Sequence, residues 1–118
     1  MDLQQPMVDV GALDRLRGFG GEKLLGGMIE LFTKNAPIKA AEAREALDCG
    51  DSAALRAALH ALKSSSGQLG AVSLHMACIA GEELASRGEL AQCTEHVQQI
   101  ERDLPFVCRQ LNAIRLPS

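Results

Sequence analysis

An all-α fold, an up-and-down antiparallel four-helix bundle with a short additional N-terminal helix, is what this sequence predicts. Apolar residues recur at steps of three and four along four long segments, the period of a helix face turned toward a core. No segment shows the period-two alternation of a strand, and β-branched residues are few beside Ala, Leu, Glu and Arg. The connections between segments are short, which forces neighbouring helices to run in opposite directions. With no Trp or Tyr and only 3 Phe, the core must be built from aliphatic side chains.

The chain has 118 residues, enough for one domain with a real core and too few for two. Residues 1–8, with Pro6 and no periodicity, read as a loose tail or linker, and 9–118 as the bundle domain. Asp9 is placed to cap a short helix carrying Leu13 and Leu16, stopped by Gly18, Gly20 and Gly21. Followed by Lys23, that glycine cluster invites comparison with a phosphate-binding loop. It lacks the spacing and the Ser/Thr, and no strand precedes it, so its glycines are helix punctuation.

From Glu22 to Asp48, the residues Leu25, Ile29, Phe32, Ala36, Ala40, Ala43 and Leu47 form one stripe, with Met28 and Leu31 off its centre line. Pro37 should kink this helix without ending it, because the stripe continues in phase beyond. Cys49 and Gly50 close it, and Asp51 or Ser52 caps a helix reaching Leu69. Gly70 ends that one. Ser73 can cap a further helix to Arg87, with Leu74, Ala77, Cys78, Gly81, Leu84 and Ala85 inward. After Gly88, the segment from Glu89 to Ile114 repeats Cys93, Val97, Ile100, Leu104, Val107, Leu111 and Ile114, with a local bend expected at Pro105.

Composition excludes several classes. Apolar residues make up 47% and charged residues 23%, and the net charge of -3 with scattered Lys and Arg argues against nucleic acid as a partner. No run approaches about 18 apolar residues and the N-terminus carries no signal pattern, so no membrane association and a cytoplasmic protein are expected. Cys49, Cys78, Cys93 and Cys108 lie singly within expected helices, as reduced core thiols would. Cys93 and His96 stand three apart, but no second pair accompanies them and Cys93 belongs to the core row, so no zinc site is expected.

Within the helix reaching Leu69, Leu55, Ala58, Leu59, Leu62, Ser66 and Leu69 gather on the core side, and His60 falls roughly opposite. Arg56, Lys63, Ser64 and Gly67 share the histidine's side, since positions three, four and seven apart are neighbours on a helix surface. Near neutral pH an imidazole is largely uncharged with a free lone pair, and it can form covalent intermediates. Hydrolytic catalysis would also need an orienting acid and a water-excluding pocket, and neither is expected around His60. Phosphoryl transfer needs little beyond positioning and charge neutralisation, for which Lys63 and Arg56 are suitable. Small residues at Ser64 and Gly67 would let a second protein approach the ring. His75 and His96 have no such surroundings and read as ordinary surface or boundary residues.

The run H-A-L-K-S-S-S-G-Q-L-G-A from His60 to Ala71 resembles the histidine-containing phosphotransfer (HPt) domain motif H-x-L-K-G-S-(A/S)-x-x-x-G-A. His60, Leu62, Lys63, Ser65, Gly70 and Ala71 match, and helix order and length agree over residues 9–114. The resemblance implies a four-helix bundle that catalyses little itself and relays phosphoryl groups between receiver-domain aspartates. His60 would be the phosphoacceptor and Lys63 its electrostatic support. Ser64 departs from the usual Gly after the Lys, which should tighten clearance and alter partner preference.

The implied partners are response-regulator receiver domains and a hybrid sensor histidine kinase, with the chain itself a monomer. It would need no cofactor of its own, the Mg²⁺ being bound by the receiver. Leu13, Leu16, Met28 and Leu31 are candidates for an apolar docking patch beside His60, with Arg56, Ser64 and Gly67 contributing. The alternative is a phosphorylation-independent adaptor that binds or sequesters a signalling partner; a metal-dependent helical enzyme ranks third.

Overall fold

The computed structural model describes residues 8–114. They form four helices: α1 (Val10–Cys49), α2 (Ser52–Gln68), α3 (Val72–Ser86) and α4 (Leu90–Ile114). Each packs on its neighbour in sequence, and α1 meets α4 to close the ring. This is the expected up-and-down bundle, with turns of only a few residues between helices.

The predicted stripes are the faces that meet. Leu25, Ile29, Phe32, Ala36, Ala40 and Ala43 of α1 are buried, as are Cys93, Val97, Ile100, Leu104, Val107 and Leu111 of α4. α2 contributes Leu55, Ala58, Leu59 and Leu62, and α3 contributes Leu74, Ala77, Cys78 and Ala85. At the α1 end the buried position is Ala46, while Leu47 and Leu84 are only half-buried. Burying a leucine or isoleucine fully contributes about 1.5–3 kcal/mol, so the repeated stripes supply the main driving force for assembly.

The short N-terminal helix is the first stretch of α1, joined to the rest across a kink. Residues 10–20 are helical but run into α1, and only Gly21 leaves helical geometry, at φ 74° and ψ -167°, where the helix kinks. That conformation is open to glycine and hardly to any other residue, which is why Gly21 alone marks the break and Gly18 and Gly20 do not. The expected tail lies outside the described residues except for Val8, which is buried in the core. α1 and α4 run on through Pro37 and Pro105.

Asp51 is the cap of α2, its carboxylate accepting from the Ala54 N–H at 3.0 Å. Ser73 does not cap α3: the helix begins at Val72 with Ala71 in the cap position, and the Ser73 hydroxyl donates instead to Asp103 of α4 at 3.5 Å. Gly70, at φ 72°, turns the chain out of α2. Its carbonyl accepts from the Asp9 N–H at 2.7 Å, and a β-carbon here would stand 2.9 Å from the Ala12 methyl. The Gly70–Ala71 pair therefore seats the N-terminal turn on the α2–α3 corner.

The four cysteines are free thiols, but only Cys78 and Cys93 belong to the core. Cys49 is exposed at the end of α1 and Cys108 is half-buried.

Candidate functional site

Helix α2 holds His60 on the face away from its leucines, with 62% of the side chain exposed. Ser66, one turn beyond Leu62 on the buried side, is satisfied within its own helix, its hydroxyl donating to the Leu62 carbonyl at 2.6 Å. The imidazole leans across the groove toward α3. There its Nδ1–H donates to Oε2 of Glu82 at 2.9 Å, and the other oxygen, Oε1, accepts from the Lys63 ammonium at 2.7 Å. Because an ionised carboxylate only accepts, the bond fixes the proton on Nδ1 and leaves Nε2 of the uncharged ring with the free lone pair.

Glu82 is the functional residue that the sequence reading missed, since no orienting acid was expected. It is only 13% exposed. Burial alone would raise its pKa, but the hydrogen bonds from Lys63 and His60, with their charges, outweigh that and hold the carboxyl below its ordinary range. A signal did exist. Glu82 follows Gly81 and sits one turn from Cys78 on the apolar side of α3, where an unpaired carboxylate would be costly.

Close packing brings the two helices together at this point. A β-carbon on Gly81 would stand 2.9 Å from Cδ1 of Leu59, so α3 lies against α2 at the residues adjoining Glu82 and His60. Lys63, the expected electrostatic support, has its ammonium ion-paired. It is paired, however, to the carboxylate that also holds His60, and so stays beside the ring.

Arg56 lies where expected. With Ala53, Ala57, His60 and Glu82 it lines a cleft of about 300 Å³. Among the described residues it makes no ion pair. Ser64 is exposed on the same side.

Gly67 is exposed too, but its bare α-carbon does not simply clear a path for a partner. The His75 ring fills the space, and a β-carbon on Gly67 would come within 2.8 Å of Cε1 and 2.9 Å of Nδ1 of that ring. His75 is half-buried and His96 likewise, both boundary residues as expected.

The candidate docking patch divides. Leu13 is fully buried and cannot touch a partner; it packs in the core where the first turns of α1 cover the bundle. Leu16 is half-buried against the same core. Met28 and Leu31 do line a groove of about 280 Å³ between α1 and α2, together with Ala61 and Ser65, and Leu31 is 61% exposed.

No group of three His, Cys, Asp or Glu among the described residues is placed to hold a metal ion. No helix among them is long and apolar enough to cross a membrane.

Residues 27–113, which include His60, Lys63 and Glu82, match the family model for the Hpt domain. The chain belongs to the Hpt domain family. Its fold agrees with the crystal structure of histidine-containing phosphotransfer protein B (HptB) from Pseudomonas aeruginosa PAO1. The TM-score is 0.87 at 28% sequence identity, over 95% of this chain and 96% of that one. No curated protein sequence matches it. Histidine phosphotransfer within a phosphorelay is the activity class of this Hpt domain.

Proposed function

We propose that His60 carries the phosphoryl group, taking it at Nε2 from an aspartyl phosphate of one receiver domain and passing it to an aspartate of another. The observation that carries this reading is the Nδ1–H bond to Glu82, which leaves Nε2 as the nucleophilic nitrogen of an exposed ring. The Nε2 lone pair attacks phosphorus while the bond from phosphorus to the aspartyl oxygen breaks, its electron pair leaving with the carboxylate. No proton has to move. The ring keeps its Nδ1 proton and becomes formally positive, facing the Glu82 carboxylate, while the Lys63 ammonium is at hand for the phosphoryl oxygens. The reverse sequence returns the group to a second aspartate.

Such a transfer rests on positioning and charge stabilisation, with little covalent work for the protein. The described residues offer no metal site, and we assign Mg²⁺ to the acidic cluster of the partner receiver. A hybrid sensor histidine kinase would feed the relay, and a monomeric bundle in the cytoplasm would serve it. For docking, the Arg56 guanidinium, which makes no ion pair among the described residues, suits an acidic partner surface. Leu31 and Met28 offer an apolar edge on the opposite flank of α2, and Ser64 lies on the approach to the ring.

Incubation with a phosphorylated receiver domain tests this directly. Acid-labile, base-stable label should appear on the wild-type chain and be absent from His60→Gln. Signal transfer or regulation undiminished in His60→Gln would instead favour the phosphorylation-independent adaptor.

A further inference from the structure

We infer that His75 is a positioning residue for the phosphoacceptor, acting through Lys63; the inference rests on the relay reading above. Nδ1 of His75 lies 2.8 Å from the backbone carbonyl of Lys63, and because a carbonyl only accepts, the proton of this ring is on Nδ1.

The bond is possible because of Gly67. A helical β-carbon tilts toward the N-terminus and covers the turn before it, so a side chain at 67 would screen the carbonyl four residues back. With glycine there, that carbonyl is open from the side and the imidazole of α3 sits over it. Lys63 is thus gripped at both ends, its carbonyl by His75 and its ammonium by Glu82.

The two grips share one register. His75 and Glu82 are seven residues apart on α3, and Gly67 and His60 are seven apart on α2, which runs the opposite way. Seven residues is close to two full turns, so each pair shares a helix face and the two contacts stand about 10 Å apart along the seam. A slide or roll of α3 that moved Glu82 off His60 and Lys63 would also have to break the His75 bond. Bulk alone at position 75 would not supply this, because an aliphatic side chain fills the space over Gly67 without a donor.

The test compares His75→Leu, which keeps bulk and loses the N–H, with His75→Asn, whose amide N–H can occupy the place of Nδ1–H. Each variant is checked for thermal unfolding, for the ¹⁵N shifts of the His60 ring, which report its tautomer, and for the rate of labelling by a phosphorylated receiver domain. H75L is expected to mix the two His60 tautomers and to slow labelling roughly tenfold, the loss of about 1.4 kcal/mol of positioning, while H75N restores both.

A folded H75L with the wild-type His60 signature and rate would overturn the inference, as would an H75N variant no better than H75L. Should H75L not fold, Gly67→Ala asks the same question by displacing the ring, and an unchanged His60 signature there overturns it equally. If the wild-type chain takes no label, the relay reading is what has failed, and the tautomer measurement still decides the role of His75.

Discussion

Oε2 of Glu82 stands 2.9 Å from Nδ1 of His60, joining α3 to α2 across 22 positions of sequence. The chemistry of the ring is therefore set from outside its own helix. A motif on α2 supplies the imidazole and the ammonium, while α3 supplies the carboxylate that fixes which nitrogen carries the proton.

Replacing Glu82 by Gln removes the negative charge opposite the ring and keeps most of the side-chain volume. Phosphoryl uptake by His60 should slow roughly tenfold, corresponding to about 1.4 kcal/mol of transition-state stabilisation. Thermal stability should fall by only about 1 kcal/mol, because Lys63 is 31% exposed and its ammonium can turn to water. Stopped-time labelling with a phosphorylated receiver domain, alongside a melting curve, separates the two effects. A rate loss that merely tracked lost stability would remove Glu82 from the chemistry.

The depressed titration of Glu82 fixes a pH dependence. Its folded pKa lies below the ordinary carboxylate value, so the stabilisation it gives through Lys63 and His60 is fully present above that ordinary value, and it is lost as pH falls through the lowered one. The difference in melting temperature between wild type and Glu82→Gln should therefore be flat near neutrality and shrink on acidification below the ordinary carboxylate range. A difference that grew in acid would contradict the assignment.

Position 81 tests the packing that makes the contact possible. Gly81→Ala places a methyl 2.9 Å from Cδ1 of Leu59, and Leu59 is fully buried, so the methyl must be accommodated within the core. Overpacking of this kind costs about 1–3 kcal/mol, against a helix-propensity gain of about 1 kcal/mol. The expected result is a net loss of stability together with a slower transfer, because the residue displaced next is Glu82. Chemical denaturation and the His60 ¹⁵N shifts would read both.

The thiols give a map of the fold. Burial pushes Cys78 up to about 12, with the Glu82 charge adding to the rise and Lys63 opposing it. Since the thiolate is the reactive form, Cys78 should stay unmodified in the native state. Exposed Cys49 should react first with a thiol reagent, and Cys78 and Cys93 only on unfolding. Mass spectrometry of a timed alkylation reads the order.

What was legible in the sequence follows from range. Helix faces are written in local periodicity, so the stripes of α1, α2 and α4 and the outward placement of His60 could be read directly. The α2–α3 seam could not, because it depends on which residues of two helices end up opposite one another. Glu82 opposite His60 and His75 over Gly67 are both products of that register. At the N-terminal segment the glycines near position 20 suggest a stop, and which of them makes the break was not legible: only Gly21 leaves helical dihedrals, with the chain helical on either side.

Leu13 and Leu31 separate packing from docking. Leu13 is fully buried, and Leu13→Ala should cost about 2–5 kcal/mol through lost transfer energy and the cavity left behind. Its transfer rate per folded molecule should be unchanged. Leu31 is 61% exposed on the wall of the α1–α2 groove, so Leu31→Ala should leave the stability within about 0.5 kcal/mol of wild type. If receivers settle on that flank of α2, the same substitution raises the receiver concentration needed for half-maximal labelling while the rate at saturation holds. An unchanged half-saturation for Leu31→Ala, with Arg56→Ala raising it in a salt-dependent way, would place the footprint on the Arg56 side of His60 instead.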